Sequence, residues 1–265
     1  GSNLGFAGAV NAGIRSSSSE FVVLLNNDTR ADERWLESLV GAADDHPEAA
    51  SFASLMVFYS DPSTVNAAGD SYEFGLASAV NRGMHERADA FADPAWVFGA
   101  CAGASMYRRS FFDTVGVFDE RYFLMHEDTD LNMRALLLGL RCLYVPTARV
   151  EHKLGASIGT MPLRSTLALA LRNQSFVAAK TLPWTLLLAT LPILAWRDIR
   201  DTVPVRWAAS SRLPRLLALA PLRCRSRRVG LVMGLKARRE MPPRVLSIRE
   251  LLRGFRARPL DGTGA

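Results

Sequence analysis

Glu20-Phe21-Val22-Val23-Leu24-Leu25-Asn26-Asn27-Asp28-Thr29 opens the segment that decides the fold. Its apolar half is a continuous β-rich run, the pattern of a strand covered on both faces, and it ends in amides and an acid. Beyond it, Asp32 stands where a helix cap is expected. Trp35, Leu36, Leu39, Val40 and Ala43 then recur at helical spacing, and Pro47 lies just past the end. A second apolar run, residues 50–58, follows. Strand, helix and strand in that order predict a parallel α/β sheet.

Working outward, residues 8–14 are small and apolar enough for a helix that packs closely. Residues 61–93 mix glycines, Asn66, Asn81 and charges, and read as loops and short strands. Within 96–107 the run Gly99-Ala100-Cys101-Ala102-Gly103-Ala104 has two readings: a buried strand of little side-chain volume, or a place where backbone comes close to a ligand. Residues 108–115 predict a short helix ended by Gly116. Residues 130–138 predict a clearer one, with Gly139 at its C′ position, feeding a strand over 141–145 and a shorter strand over 149–152.

With 265 residues, 49% of them hydrophobic, the chain suffices for one sizeable core and an appendage. The net charge of +6 is unevenly placed. Residues 1–196 carry 15 Lys+Arg against 21 Asp+Glu, whereas residues 197–265 carry 17 against 5. An acidic body therefore bears a basic tail. Cys101, Cys142 and Cys224 are scattered without CxxC spacing, which indicates neither a disulfide framework nor a zinc knuckle and makes a reducing compartment the default. Gly1-Ser2 leads into the apolar helix without a secretory leader pattern.

Three places carry candidate chemistry. Asp28 lies past the carboxyl end of a strand, where an acid can hold a divalent cation bridging two phosphates; the competing reading is a turn that caps the next helix. Glu127, Asp128 and Asp130 suit the dipole at a helix start, and Asp130 suits it best because Arg134 follows four residues on. Asp128 is flanked by Met125, Leu131 and Met133, surroundings that raise a carboxyl towards the working range of a general base. His152 closes an apolar strand; such a lone histidine is either a satisfied structural residue or, with Asp28, a ligand for manganese or a similar ion.

The segments 3–14, Leu24-Leu25-Asn26-Asn27-Asp28-Thr29, 116–123, Glu127-Asp128-Thr129-Asp130-Leu131 with Arg134, and His152 closely resemble, in order, the family 2 glycosyltransferases of GT-A fold, and most of all their rhamnosyltransferase-like members in bacterial cell-surface polysaccharide synthesis. The resemblance spans about residues 3–157. It implies an inverting transfer from a nucleoside-diphosphate sugar, with Asp28 holding Mg²⁺ or Mn²⁺ on the diphosphate, Asn26 near the ribose and His152 completing the metal site. Asn26-Asn27-Asp28 occupies the place of the family's DXD motif with its first acid replaced by asparagine. Asp128 corresponds to the base that deprotonates the acceptor hydroxyl, and Glu127 would orient acceptor or base. Asn3, Gly8 and Asn11 match the segment bordering the nucleotide, and Gly103 lies where the donor sugar is approached. Family members begin with a strand and loop for the nucleobase that nothing before Asn3 supplies, so the chain reads as N-terminally truncated.

The domain expectation is a GT-A domain over 1–160 and a basic, apolar helical region over 161–265. Residues 181–196 contain Pro183 and Pro192 and are shorter than the roughly 20 residues that span a bilayer, which suggests a re-entrant or interfacial segment. Residues 213–222 and 229–235 are further apolar stretches between arginines. With Trp184, Trp196 and Trp207 they suit an anionic membrane surface, placing the chain at the cytoplasmic face of a bacterial membrane with a glycan or lipid-linked acceptor. No nucleic-acid recognition motif accompanies the basic residues. Two rival readings stand: a sugar-phosphate nucleotidyltransferase, which needs a glycine- and lysine-rich phosphate loop, and a membrane-bound scaffold whose acids are merely helix caps.

Overall fold

The computed structural model describes residues 3–153, 161–202 and 219–260. It divides into two compact units, the first comprising Gly1–Tyr72, Ala79–Gly159 and Pro242–Ala265, the second Glu73–Ser78 and Thr160–Met241. The units part near residue 160, and 242–265 groups with the first unit rather than with the basic helices. Its apolar residues explain why: Phe255 stacks on Tyr72 at 4.5 Å between ring centroids, and Leu251 is fully buried.

In the first unit α1 (Gly5–Arg15) precedes β1 (Phe21–Leu25), β2 (Thr29–Ala31), α2 (Trp35–Asp45), β3 (Ala49–Phe58) and β4 (Asp61–Ala68). β5 (Asp70–Glu73) and β6 (Ser78–Asn81) are the arms of a hairpin whose tip groups with the second unit. Then come β7 (Ala95–Val97), β8 (Ala104–Arg108), α3 (Arg109–Val115), α4 (Glu127–Leu137) and β9 (Arg141–His152). The main sheet runs β1-β8-β3-β9-β7 and ends in a two-residue strand, β10 (Arg258–Pro259), with β2 on β9 and β4 on β3.

This sheet is mixed, which corrects the expectation of a parallel one. β3 and β9 are parallel, whereas β8 is antiparallel to both β1 and β3. β1 and β3 still point the same way, as the strand–helix–strand pattern requires, but β8 lies between them. Nor is β1 covered on both faces. Val22 and Leu24 pack with α1 and α3, while Val23 and Leu25 are 37% and 45% exposed, because α2 packs over β3 and β9 instead.

Other details depart from the periodicity. α2 buries only Trp35, Leu39 and Ala43, one residue per turn, and leaves Leu36 and Val40 outside. Asp32 is not its cap: its carboxylate accepts from the Arg34 N–H and its carbonyl from the Trp35 N–H, a turn just ahead of the helix. Residues 61–68 form a full strand. Residues 98–103 are a buried loop between β7 and β8 rather than part of one strand, and Gly99 is required there because a Cβ would fall 2.1 Å from the Asn132 side chain. The two strands expected over 141–152 are one. Its register against β3 jumps between Val145 and Arg149, so Pro146-Thr147-Ala148 bulge out where proline offers no N–H to a ladder.

In the second unit α5 (Leu163–Thr181), α6 (Trp184–Thr202) and α7 (Ala220–Ala237) are the helices described. α7 crosses α5 at Gly230 and Gly234, where a Cβ would stand 2.0 Å from the Arg172 carbonyl oxygen and 2.6 Å from that of Phe176. Asp198 on α6 pairs with Arg223 at 3.2 Å and with Arg227, both on α7. Residues 181–196 thus straddle a helix break at Pro183, and most of 213–222 lies outside the described residues. Among the described residues no helix is long and apolar enough to cross a membrane. The last helix of the first unit is α8 (Ile248–Gly254), opened by a capping box between Ser247 and Glu250.

Candidate functional site

The turn after β1 is tied to the loop 98–103: the Asn26 N–H donates to the Gly103 carbonyl at 2.9 Å, and the Asn26 carbonyl accepts from the Thr29 N–H at 3.3 Å and the Thr29 hydroxyl. Asp28 therefore ends a rigid turn. β2 then pairs antiparallel with β9, Thr29 opposite His152, which brings His152 Nε2 to 3.3 Å from Asp28 Oδ1. On its other side, His152 Nδ1 lies 2.9 Å from Asn66 Oδ1, at the inner end of β4. The imidazole is thus held between an amide and a carboxylate, an arrangement that fixes the orientation of its ring. Among the described residues no group of three or more His, Cys, Asp and Glu is gathered for a metal. One carboxylate and one imidazole do match a small divalent ion that takes its remaining ligands from phosphate and water.

The acids of α4 lie across the same loop. Phe123, Met125 and His126 hold φ of 64°, 67° and 67°, left-handed backbone that non-glycine residues rarely adopt, in the turn leading into the helix. Strain of this kind persists only where the surroundings over-determine it. Here α1 does so: the Phe6 N–H donates to the Phe123 carbonyl, Asn11 accepts from the Phe118 N–H at 3.0 Å, and its amide donates to the Phe118 carbonyl and to Glu120. Asn11 is thus committed to bracing the turn. Asn3 accepts from the Gly5 N–H at the start of α1, and Gly8 faces Leu4 and Glu120. These three residues gather on the 118–126 turn.

Asp130 takes the structural part foreseen for it. Its carboxylate meets Arg134 Nε at 2.8 Å and the Tyr122 hydroxyl at 3.1 Å, and Arg134 also donates to the Val115 and Val117 carbonyls. Asp128 is different. Partly buried and with no cationic partner, its carboxylate accepts from the Thr129 N–H at 2.7 Å. Burial pushes it above the usual carboxylate range against the pull of backbone N–H groups of Thr129 and Ala102. Glu127, 6% exposed, is pushed up to about 8 by burial and by the Asp128 charge, and among the described residues its Oε2 has no hydrogen-bond partner.

Asp70, which nothing in the local sequence singles out, joins this group. Fully buried at the corner after Gly69, it is raised well above the usual range by burial and then by Asp128. Cys101, in the loop between them, is raised by burial and by Asp70, Asp128 and Glu127 in that order. Asn66, which orients His152, and Asn132, whose amide donates to the Ala100 carbonyl at 3.0 Å, were equally unmarked in the sequence. Loop 98–103 is the common element: Gly103 holds the Asn26 turn and Ala102 holds Asp128.

A strand-end acid and histidine on one side of a buried loop, and half-buried carboxyls without cations on the other, can bind a diphosphate and remove a proton. Residues 1–116 match the model described as "Glycosyl transferase family 2". Residues 1–116 are thus similar to family 2 glycosyltransferases. Over 270 aligned residues the chain is 28% identical to an N-acetylglucosaminyl-diphospho-decaprenol L-rhamnosyltransferase of Mycobacterium tuberculosis, in both strain CDC 1551 / Oshkosh and strain ATCC 25618 / H37Rv, covering 88% of this chain and 79% of the relative. Among solved structures it is similar to the mannosyltransferase PcManGT from Pyrobaculum calidifontis in complex with GDP-Man and Mn²⁺, with a TM-score of 0.43 and 15% identity. That similarity covers 88% of this chain and 66%, just under two thirds, of the solved one. The family 2 match holds α1, the Asn26–Asp28 turn, Asp70 and Gly103; Glu127, Asp128 and His152 lie beyond it in sequence.

Proposed function

We propose that the chain is an inverting glycosyltransferase that moves a sugar, rhamnose by its similarity to the rhamnosyltransferases, from a nucleoside-diphosphate donor to a hydroxyl of a lipid-linked acceptor. The observation that carries this reading is the contact of Asp28 with His152, far apart in sequence and joined by the β2–β9 register. Asp28 and His152 would hold Mg²⁺ or Mn²⁺, with Asn66 fixing the imidazole. A divalent ion held there would supply charge stabilisation to the diphosphate leaving group without proton transfer. Asp128 accepts the proton of the acceptor hydroxyl, and its raised affinity for protons brings it nearer the pH at which a base works best. Glu127, protonated below about pH 8 in the free protein, orients Asp128 or the acceptor by donating a hydrogen bond. The nucleotidyltransferase reading finds no phosphate loop in its support.

The second unit supports a location at the cytoplasmic face of a bacterial membrane. On α6 Trp184, Leu188, Pro192, Trp196 and Ile199 are exposed along one face, and Trp196 is 63% exposed. A helix whose outer stripe is apolar and bordered by Arg197 and Arg200 suits the boundary between headgroups and acyl chains. A lipid-linked acceptor is met there.

The test is Mn²⁺ binding followed by electron paramagnetic resonance, with and without UDP, dTDP or GDP, in the wild type and in Asp28→Ala and His152→Ala. Nucleotide-enhanced binding that is lost in Asp28→Ala is expected. A folded wild type that binds Mn²⁺ equally with and without every nucleotide refutes the reading.

A further inference from the structure

Asp70 is the least explained polar group of the first unit. It is 2% exposed, and among the described residues its Oδ1 has no hydrogen-bond partner. Burial and the Asp128 charge both raise its affinity for a proton, and among the described residues no cation or N–H group meets that oxygen. Buried carboxylates without partners are rare in folded proteins because desolvation of the charge goes unrewarded, and they are kept where a ligand provides what the protein withholds.

Its surroundings say which ligand. The Asp70 N–H donates to the Gly99 carbonyl at 2.9 Å, and its carbonyl accepts from the Phe98 N–H at 3.0 Å, so Asp70 is clamped to the loop 98–103. The same loop takes the Asn26 N–H at Gly103 and supplies a backbone N–H to Asp128 at Ala102. A phosphate is excluded as the partner, since another anion beside Asp70 and Asp128 adds repulsion. Hydroxyl groups fit: they donate to a carboxylate oxygen and carry no charge. A sugar attached to a diphosphate held at the Asn26–Asp28 turn, with its anomeric carbon within reach of a hydroxyl activated by Asp128, is flanked by this loop.

We propose that Asp70 recognises hydroxyl groups of the transferred sugar, accepting their hydrogen bonds in the donor complex and so contributing to donor selection. The proposal rests on the transferase reading above, and deepens it by assigning the sugar subsite. Asn66 and His152 belong to the metal side and take no part in it.

The experiment is calorimetric titration of the full chain in the presence of Mn²⁺ with three pairs of probes: UDP and UDP-N-acetylglucosamine, dTDP and dTDP-rhamnose, GDP and GDP-mannose. Wild type is compared with Asp70→Asn, which keeps the buried volume and removes the charge. For the preferred pair, Asp70→Asn is expected to weaken the nucleotide sugar by about tenfold or more, the worth of hydrogen bonds to a charged group, and to leave the nucleotide within about twofold. No acceptor is present, so a selective loss belongs to the donor sugar. Retained affinity for the nucleotide sugar overturns the proposal. Equal weakening of nucleotide and nucleotide sugar overturns it too, since that marks a structural role. A wild type that binds none of the six probes removes the transferase reading first, and the sugar subsite with it.

Discussion

At the scale of single residues, the site is expensive to keep folded. Asp70 and Glu127 both bind protons more tightly in the folded chain than ordinary carboxyls do, Glu127 up to about 8. The native state therefore holds more protons than the unfolded one from the usual carboxylate range, near 4, upward, and stability falls as pH rises through that window. Removing the Asp70 charge reverses its share of the loss. Asp70→Asn is expected to raise Tm by about 2–6 °C at pH 8, a gain that shrinks towards zero near pH 4. Scanning calorimetry of both proteins across this range decides it: a variant less stable than wild type at pH 8 shows that Asp70 is a supporting residue. Asp128 and Cys101 interact electrostatically with Asp70, so the difference includes the relief of their mutual repulsion.

At the scale of elements, what could be read from the sequence was whatever depends on neighbours along the chain. The apolar runs at 21–25 and 49–58 are strands, the Arg134 pair four residues from Asp130 is an ion pair, and Gly116 and Gly139 end helices with φ of 80° and 77°. What escaped depends on partners far away. Nothing local says that β8 enters between β1 and β3, that Leu36 and Val40 find no layer above them, or that Asn11 is spent on Phe118. Asp28 and His152 were separately legible, and their contact rests on a register no periodicity encodes. Asp70 was invisible because its meaning lies in burial without a partner.

The α5–α7 crossing shows the same contrast, since its glycines are unremarkable in sequence and decisive in packing. A side chain at Gly234 must displace backbone, which no rotamer change relieves. Gly234→Val is expected to destabilise the second unit by about 3 kcal/mol or more, read as an early unfolding step in urea, whereas Gly41→Val, where no atom lies within 4 Å of the added Cβ, is expected to stay within about 1 kcal/mol of wild type. Equal effects of the two substitutions would contradict the close helix contact.

At the scale of the whole molecule, charge is segregated between the two units. Residues 161–202 and 219–241 carry 12 Lys+Arg against 3 Asp+Glu, and one of those acids, Asp198, is already paired twice with arginine. This unit also presents the apolar stripe of α6. Binding to vesicles of phosphatidylglycerol and phosphatidylcholine is therefore expected, weakening as salt screens the arginines. Trp184→Ala with Trp196→Ala is expected to lower the partition coefficient by about tenfold or more in a sedimentation assay, through loss of buried apolar area. Undiminished binding by the double variant would leave only a surface electrostatic attachment.

The insertion of β8 sets an order of events during folding. β1 pairs with residues 104–108, about eighty positions further along, and Thr29 finds His152 only after about 120. Closing loops of that length is slow, and on a ribosome the partners do not yet exist when β1 emerges. The arm carrying Asn26 and Asp28 thus waits, unpaired, until nearly the whole first unit has been made. The contact of Asp28 with His152 is among the last that the first unit forms.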